Sequence, residues 1–395
     1  MDISAADLLA DSGAPPTADR GAVAIVHDWC PSFRGGERVL AHLADMHPGA
    51  NIYTLFDFLP ADVKARHFLH ATFHISPMNR LPGVERYYRS LFFLCPFFIE
   101  QFDVTHADLV ISSSAAFARG VITRPDQPHF CYVHSPVRYA WDEQFSYMEQ
   151  GRLGYGPKGL LFRHFLHKLR TWDVRTSHGP DVMAANSNFI RRRIKRIYGR
   201  DALVIFPPVE VDEFALTETK DDYYITASFL APYKRTDLVI EAFREMPEKR
   251  LLVVGDGQQS KQLRKLAGPN ITFAGFLSRA AYVKAVAEAR ALVFAGCEDF
   301  GIALAEAQAA GTPLIALGRG GAADIVRAFG IQNHPTGVLF RRQTVAAVKD
   351  AVALFEANRQ EITPEACRVN AMRFNSARFK AEISAAIGRT HDLHV

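Results

Sequence analysis

The chain has 395 residues, of which 48% are hydrophobic and 22% are charged. At roughly 150 residues per domain the length predicts two or three domains, and the composition excludes a globally disordered chain. No run approaches the ~18 consecutive apolar residues of a membrane-spanning helix. A formal net charge of +4 is mild and does not by itself indicate a nucleic-acid-binding protein.

The cysteines and the first residues bear on the compartment. Five cysteines lie far apart without a C-x-x-C motif, which predicts neither a disulfide framework nor a structural zinc site. A reducing cytoplasm fits this usage. Residues 1–20 carry four aspartates and no basic segment, so we predict a disordered or loosely attached tail rather than a secretory signal.

Short apolar runs in the first half of the chain predict buried strands. They occupy residues 22–26, 51–55, 109–112, 129–133 and 182–185. A helical pattern begins at Val39, directly after the first run and its glycine-bearing loop. Such runs, bounded by loops and helices, are typical of a parallel sheet covered on both faces.

The second half repeats this alternation more regularly. Predicted strands occupy residues 223–227, 251–254, 271–273, 291–295 and 313–317, with helical segments between them. We therefore predict an α/β fold of two Rossmann-like, doubly wound domains that face each other across a central cleft. The boundary is predicted near Pro207, and an amphipathic helix at 364–387 has no strand of its own to follow.

A glutamate pair is the first candidate for binding chemistry. Glu298 is predicted at a strand end and Gly301 at a helix start, so the amides of Phe300, Gly301 and Ile302 would suit a diphosphate. Glu298 and Glu306 would accept hydrogen bonds from sugar or ribose hydroxyls. Alternatively, Glu298 only caps the helix and Glu306 is solvated.

Two loops at predicted strand ends carry further candidates. Lys234 and Arg235 precede a helix and could clamp phosphate oxygens, although such cations also occur in solvated turns. Gly35 and Gly36 would allow the backbone to approach a ligand closely, although most glycine pairs simply form turns.

His134 ends another predicted strand and could bind a substrate hydroxyl, although isolated histidines are usually structural. Asp28, Arg138 and Trp141 are candidates for the acceptor side of a sugar pocket. No hydrolase elbow, P-loop or metal-ligand spacing is present, so no metal site is predicted.

Two segments, 80–100 and 158–175, combine cations with aromatic and aliphatic residues in a pattern suited to an anionic membrane surface. Alternatively, the aromatics belong to the core and the cations to a solvated face. The basic run 191–196 could also touch lipid phosphate or nucleic acid, or form a solvated helix face. The membrane-contact candidates are Phe92, Phe93, Arg163, Lys168 and Arg170.

Together these motifs resemble a retaining GT-B glycosyltransferase of family 4, in the branch of bacterial O-antigen and exopolysaccharide mannosyltransferases. The resemblance spans about residues 22–340. It implies an acceptor-binding domain at 21–206, a nucleotide-sugar-binding domain at 207–365 and a helix at 366–395 that crosses back to the first domain. The matching segments are 35–37, 132–142, 186–190, 207–209, 232–237 and 298–307.

The resemblance also implies roles for the second-domain candidates. Lys234, with Arg235 nearby, would bind the donor diphosphate, and Glu306 would hold the ribose. Glu298 and the amides after it would hold the transferred sugar and phosphate. Phe229 departs from the family, since many members have arginine there, five residues before the lysine.

In the first domain, the resemblance implies that Gly35 and Gly36 approach the diphosphate and that His134 contacts the sugar near the reacting carbon. Retention is thought to proceed by front-face attack, in which the leaving phosphate takes the acceptor proton. Neither a cofactor nor a metal is expected. Asp324 stands where glutamate is usual, which would shift a base or ribose contact.

These features predict a hexosyltransferase, most specifically an α-mannosyltransferase that uses GDP-mannose and a polyprenyl-diphosphate-linked saccharide acceptor in surface polysaccharide synthesis. It would be cytoplasmic and attached peripherally to the anionic inner face of the membrane, without a nucleic-acid partner. The alternatives are a UDP-sugar donor, a nucleotide-sugar epimerase, and a membrane- or nucleic-acid-binding protein without activity that uses residues 191–196.

Overall fold

A computed structural model describes residues 21–151 and 153–394, and two fully parallel β-sheets organise them. The predicted tail at 1–20 lies outside the described residues. Helices cover both faces of each sheet, because the strands are apolar on both sides and need cover on each. The predicted α/β fold with two Rossmann-like domains is confirmed.

The first sheet has seven strands in the order β3-β2-β1-β4-β5-β6-β7. Its strands and the helices between them are β1 (Val23–His27), α1 (Gly35–Met46), β2 (Asn51–Thr54), α2 (Ala61–His67), β3 (Thr72–Ile75), α3 (Cys95–Ile99), β4 (Leu109–Ser114), β5 (His129–Val133), α4 (Gln144–Gln150), α5 (Pro157–Thr176), β6 (Val182–Ala185), α6 (Asn188–Tyr198) and β7 (Leu203–Val204). The order reverses between β1 and β4, which opens a crevice at their carboxyl ends.

The second sheet has six strands in the order β10-β9-β8-β11-β12-β13. The elements of this half are β8 (Tyr224–Ala227), α7 (Thr236–Arg244), β9 (Leu251–Val254), α8 (Ser260–Leu266), β10 (Ile271–Gly275), α9 (Arg279–Glu288), β11 (Ala291–Phe294), α10 (Ile302–Ala309), β12 (Leu314–Leu317), α11 (Ala322–Ile325), β13 (Gly337–Phe340), α12 (Val345–Ala357) and α13 (Pro364–Ala371), followed by α14 (Ser376–Asp392). Its order reverses between β8 and β11.

Three strands escaped the sequence prediction, and all three lie at sheet edges. β3 is largely exposed, so it lacks the apolar character of a central strand. β7 has only two residues, and β13 begins at a glycine that would clash with Leu314 if it carried a Cβ. β13 is mostly buried but has only four residues, so the three strands are too exposed or too short to give a clear periodic signal.

The C-terminal segment forms two helices rather than the single predicted helix at 364–387. α13 packs on α10 of the second domain, whereas α14 packs on β5 and β6 of the first. Asn375 separates them, because its side chain caps α14 by accepting from the Arg378 amide. Beside it, Val209 donates its amide to Phe374 at 2.8 Å, so the two connections between the domains meet.

Among the helices of residues 21–151 and 153–394, none combines the length and the apolar character needed to cross a bilayer.

Candidate active site

A cavity of about 790 Å³ lies between the carboxyl ends of the two sheets. The loops after β1, β8 and β11 all reach it, and these are the strands next to the reversals of strand order. The candidates from sequence that line it are Gly35, Gly36, His134, Arg138, Lys234, Glu298, Phe300, Gly301, Ile302 and Glu306. The topology therefore brings most of the predicted site together.

On the second-domain wall, Lys234 forms an ion pair with Glu298. Glu298 does not cap α10, since Gly301 is the N-cap residue and no side chain bonds to it. The φ of Gly301 is +97°, a conformation that favours glycine. The first amides of α10 have no partner within the helix and lie at the cavity, which suits them to an anion.

A second glycine pair holds this loop in place. The Gly321 amide donates to the Glu298 carbonyl at 2.9 Å. A Cβ on Gly320 would lie 2.2 Å from that carbonyl oxygen, and one on Gly321 would lie 2.1 Å from the Phe300 oxygen. Only glycines allow this approach, so the pair positions Glu298 without touching a ligand.

Glu306 is only 4% exposed, so the alternative of a solvated residue is wrong. Its carboxylate accepts from Arg38 at 2.9 Å, from Arg279 at 2.8 Å and from Tyr282 at 3.0 Å. Arg38 belongs to the first domain, so this contact closes the cleft across the domain interface. Burial, together with the charge of Glu306, raises the pKa of Tyr282 well above its ordinary value.

Gly35 and Gly36 open α1 on the first-domain wall. A Cβ on Gly35 would lie 3.0 Å from Cδ1 of Ile302, and one on Gly36 would lie 3.7 Å from the His27 ring. The starts of α1 and α10 therefore pack directly against each other across the domain interface.

His134 lines the same cavity, and its Nε2 lies 2.8 Å from the Ser113 hydroxyl. Burial, and then the neighbouring His27, lowers the pKa of His134 to about 3. The imidazole is therefore neutral near pH 7, where it can form hydrogen bonds but is a weak base.

Arg235 does not reach the cavity, which corrects its assignment as a donor-binding residue. Its guanidinium pairs with Asp237, two residues further along the chain. The first domain supplies a different cation. Arg34 lines the cavity, and its guanidinium carbon lies 5.3 Å from the centroid of the Phe229 ring. Arg34 thus stands beside the residue that replaces the usual arginine.

Two other predicted contacts are wrong. Asp28 is buried and accepts from four consecutive backbone amides, those of residues 115–118, at 2.5–2.8 Å. It therefore fixes the loop after β4 and does not face an acceptor. Asp324 accepts from the amide and the side chain of Asn188, so it joins the domains outside the cavity.

Arg138 and Trp141, both predicted on the acceptor side, line different cavities. Arg138 pairs with Asp299 of the second domain, which also faces Arg193 at 3.7 Å. Burial alone would lower the pKa of Arg138, but Asp299 raises it overall. Trp141 does not line the cleft, because its indole donates to the buried Asp173 at 2.7 Å and its ring lines a neighbouring cavity.

Some of the membrane-contact candidates are buried or engaged within the protein, whereas others are exposed. Phe92 is 8% exposed and packs on Phe162, so it belongs to the core, as the alternative had it. Arg170 donates to the Ala140 carbonyl and to Gln144, which makes it a bridge between α5 and α4. Phe93 is 42% exposed.

Arg163 packs over the Tyr155 ring at 4.3 Å, and Lys168 is exposed. Phe93 stacks on Phe165 of α5, with the ring centroids 5.0 Å apart. The exposed large apolar side chains of α5 and of the segments before it are Phe93, Phe97, Tyr155, Leu160 and Leu161, and we refer to them together as the apolar patch.

Several lining residues were not predicted. Arg34, Arg38, Arg279 and Tyr282 line the cavity through contacts between loops or domains that are distant in sequence. Phe276 follows β10 and is 89% exposed, at the cavity. Phe276 could have been predicted, because an aromatic residue directly after a strand is a candidate for ligand contact. The arginines could not have been predicted from their neighbours in the sequence.

No group of three His, Cys, Asp or Glu side chains within the described ranges is placed to hold a metal ion.

Residues 210–374 match the family model described as glycosyl transferases group 1. A GDP-mannose-dependent alpha-(1-6)-phosphatidylinositol monomannoside mannosyltransferase of Mycobacterium tuberculosis is 32% identical over 212 residues, which is 45% of this chain and 53% of the relative. The chain thus spans about half the length of the curated relatives it matches.

Solved structures share the fold over most of the chain. Sucrose-phosphate synthase from Thermosynechococcus elongatus aligns with a TM-score of 0.71 and 17% identity, over 92% of this chain and 98% of that one. The resemblance to GT-B glycosyltransferases is confirmed. Anabaena HepE in complex with UDP-glucose aligns with a TM-score of 0.67 and 16% identity, over 93% of this chain and 99% of that one.

Proposed function

We propose that the protein is a retaining glycosyltransferase that moves a hexose from a nucleoside-diphosphate sugar to a saccharide acceptor. One arrangement carries the proposal: Lys234, Glu298 and the open first turn of α10 converge on one wall of the cleft, with Glu306 a few residues along the same helix. A cation and free amides suit a diphosphate, and the two carboxylates suit hydroxyl groups.

In the proposed reaction, an acceptor hydroxyl forms a bond to the anomeric carbon while the bond from that carbon to the diphosphate breaks. The acceptor proton passes to the leaving phosphate, so the products are a glycoside and a nucleoside diphosphate. Lys234 and the α10 amides would stabilise the charge that develops on the leaving group. His134 would act as a neutral hydrogen-bond partner for the sugar.

For the donor, we propose GDP-mannose. Support comes from the mycobacterial mannosyltransferases that the chain resembles, one of which is described as GDP-mannose-dependent. A UDP-sugar is the second candidate, since HepE was solved with UDP-glucose.

For the acceptor, we propose a polyprenyl-diphosphate-linked saccharide of bacterial surface polysaccharide synthesis, reached from the cytoplasmic face of the membrane. The apolar patch supports attachment to that surface, because its five large apolar side chains are exposed, and α5, which carries Leu160 and Leu161, also carries the exposed cations Lys158 and Lys168.

Transfer is tested by incubating the protein and bacterial membranes with radiolabelled GDP-mannose or UDP-glucose, then counting label in the lipid extract. We expect label from GDP-mannose, and its loss in Lys234→Ala and Glu298→Ala. Lys284→Ala removes an exposed cation on α9 and serves as the control. Transfer from UDP-glucose alone would overturn the donor, and equal transfer by all variants would overturn the site.

Attachment is tested by flotation with vesicles that contain phosphatidylglycerol. Replacing Phe97 and Leu160 with serine should reduce the floated fraction. Ile331→Ser is the matched control, because Ile331 is exposed on the second domain, away from the patch. Absence of flotation by the wild type would contradict attachment.

A further inference from the structure

A second cavity, of about 690 Å³, lies beside the cleft and has no role in the chemistry described so far. The segment after β5 and the helices α4, α5 and α6 surround it. The residues on which its properties depend are Trp141, Phe145, Arg170, Phe189, Arg192 and Arg196. With Arg193, which also lines it, the cavity combines three aromatic side chains with four arginines.

Two of these arginines are available to a ligand. Arg192 and Arg196 lie one turn apart on α6, are exposed, and form no ion pair with another residue of the described chain. Their neighbours are engaged, since Arg170 donates to Gln144 and Arg193 pairs with Asp142. Asp142 is the one carboxylate that lines this cavity, and it is already paired. Two adjacent guanidinium groups suit a phosphate or diphosphate.

The aromatic side chains give the cavity an apolar wall. Phe145 is 73% exposed and lines the cavity, so its ring is accessible to an apolar part of a ligand. Trp141 is held by its bond to Asp173, so its ring has a fixed orientation. A fitting ligand therefore has both a phosphate and an apolar or sugar portion, as a lipid-linked saccharide does.

The cavity also lies next to the proposed reaction. Arg193 lines it and faces Asp299, the residue after Glu298, at 3.7 Å. Arg170, which also lines the cavity, belongs to α5, the helix that carries the exposed Leu160 and Leu161. The cavity thus lies between the cleft and the helix proposed to meet the membrane.

We propose that this second cavity binds the phosphate or diphosphate of a lipid-linked acceptor, while the saccharide extends into the cleft. The proposal rests on the proposed glycosyltransferase function and specifies the acceptor side of the same site. Arg192 and Arg196 bind the phosphate oxygens, and Phe145 covers the first part of the lipid.

The test measures binding of farnesyl diphosphate, which carries a diphosphate and a short isoprenoid chain, to the full chain by calorimetry. We expect at least tenfold weaker binding to the Arg192→Ala/Arg196→Ala double variant, and weaker binding to Phe145→Ser. Arg191→Ala is the control, because it removes a charge of the same helix outside the cavity. Lys234→Ala should bind the probe normally, which excludes the donor site as its location.

Inorganic pyrophosphate and phosphatidylglycerol vesicles separate the possible sources of phosphate. Equal binding of pyrophosphate and farnesyl diphosphate would overturn the proposal in favour of a free-phosphate site. Loss of vesicle binding in the double variant without binding of farnesyl diphosphate would overturn it in favour of bulk lipid. If Arg191→Ala weakened the binding of farnesyl diphosphate as much as the double variant does, the result would overturn the proposal in favour of a general effect of charge.

GDP binding by the same variants separates this failure from that of the proposed function. If GDP binds the wild type and the Arg192→Ala/Arg196→Ala variant equally and farnesyl diphosphate binds neither of them, only the acceptor proposal fails. If GDP binds no variant and not the wild type, the donor proposal fails, and the result with farnesyl diphosphate still decides the acceptor cavity.

Discussion

The two walls of the cleft are built in different ways. On the second-domain wall, Lys234, Glu298 and Glu306 come from two loops and one helix that follow neighbouring strands. On the first-domain wall, Arg34 and Arg38 reach across to residues of the other domain. One wall is therefore assembled within its own sheet, whereas the other depends on how the domains meet.

This difference indicates at which positions of the site one residue can take over the role of another. Lys234 follows β8 of its own sheet and pairs with Glu298, which follows the neighbouring strand β11. Phe229 stands where the resemblance implies an arginine, and Arg34 of the opposite wall lies over its ring. The comparison leads to four predictions, from the largest expected effect to the smallest.

Lys234→Ala should reduce the rate of transfer about 100-fold or more, the size expected when one stabilising donor of the leaving charge is removed. The measurement is the rate at saturating donor in the assay proposed above. Arg34→Ala should cost clearly less, because Arg34 is exposed and solvent can replace part of its charge. Equal losses would remove the distinction between the walls.

Moving the cation between the walls sharpens the comparison. Arg34→Ala should raise the donor KM about tenfold, as the loss of a partly solvated phosphate contact would do. Adding Phe229→Arg to that variant should restore the KM, because the charge returns to the position usual in the family. A double variant no better than Arg34→Ala would show that Arg34 does not stand in for that arginine.

His134, on the first-domain wall, should make the stability of the protein depend on pH. Its pKa is about 3 in the folded protein, against an ordinary value of 6.5, so the unfolded chain binds more protons between these values. The contribution of His134 to stability is therefore complete above pH 6.5 and is lost as the pH falls towards 3. Urea unfolding at pH 7.5 and pH 5 should show a steeper loss for the wild type than for His134→Gln; parallel losses would contradict the prediction.

Phe276 should show the smallest effect. Its exposed ring at the cavity can stack on the nucleotide base, so Phe276→Ala should weaken nucleotide binding about threefold to tenfold. Calorimetry with GDP and UDP would measure it. Phe276→Tyr keeps the ring and should bind normally, whereas unchanged binding by the alanine variant would remove Phe276 from the site.

The sequence predicted the parts of this molecule that are local. Apolar runs predict the central strands. Glu298, Glu306 and Lys234 were predicted as site residues because they follow such runs. The prediction for Arg235 failed although its partner Asp237 is only two residues away, because the sequence does not show whether the side chain turns to Asp237 or to the cleft. Asp28 failed because its four amide partners lie 87 to 90 residues away. Arg34 and Arg38 were missed because their partners lie in the other domain.

The division of the C-terminal segment has a consequence for synthesis. Phe379, Ile383 and Ile387 of α14 are buried in the core between the first sheet and α1. Domains usually fold in the order in which they leave the ribosome. Here the first domain to be made receives its last helix only after the second domain has been translated. A ribosome that stalls within the second domain would therefore hold a first domain whose sheet lacks the cover that α14 gives to β5 and β6.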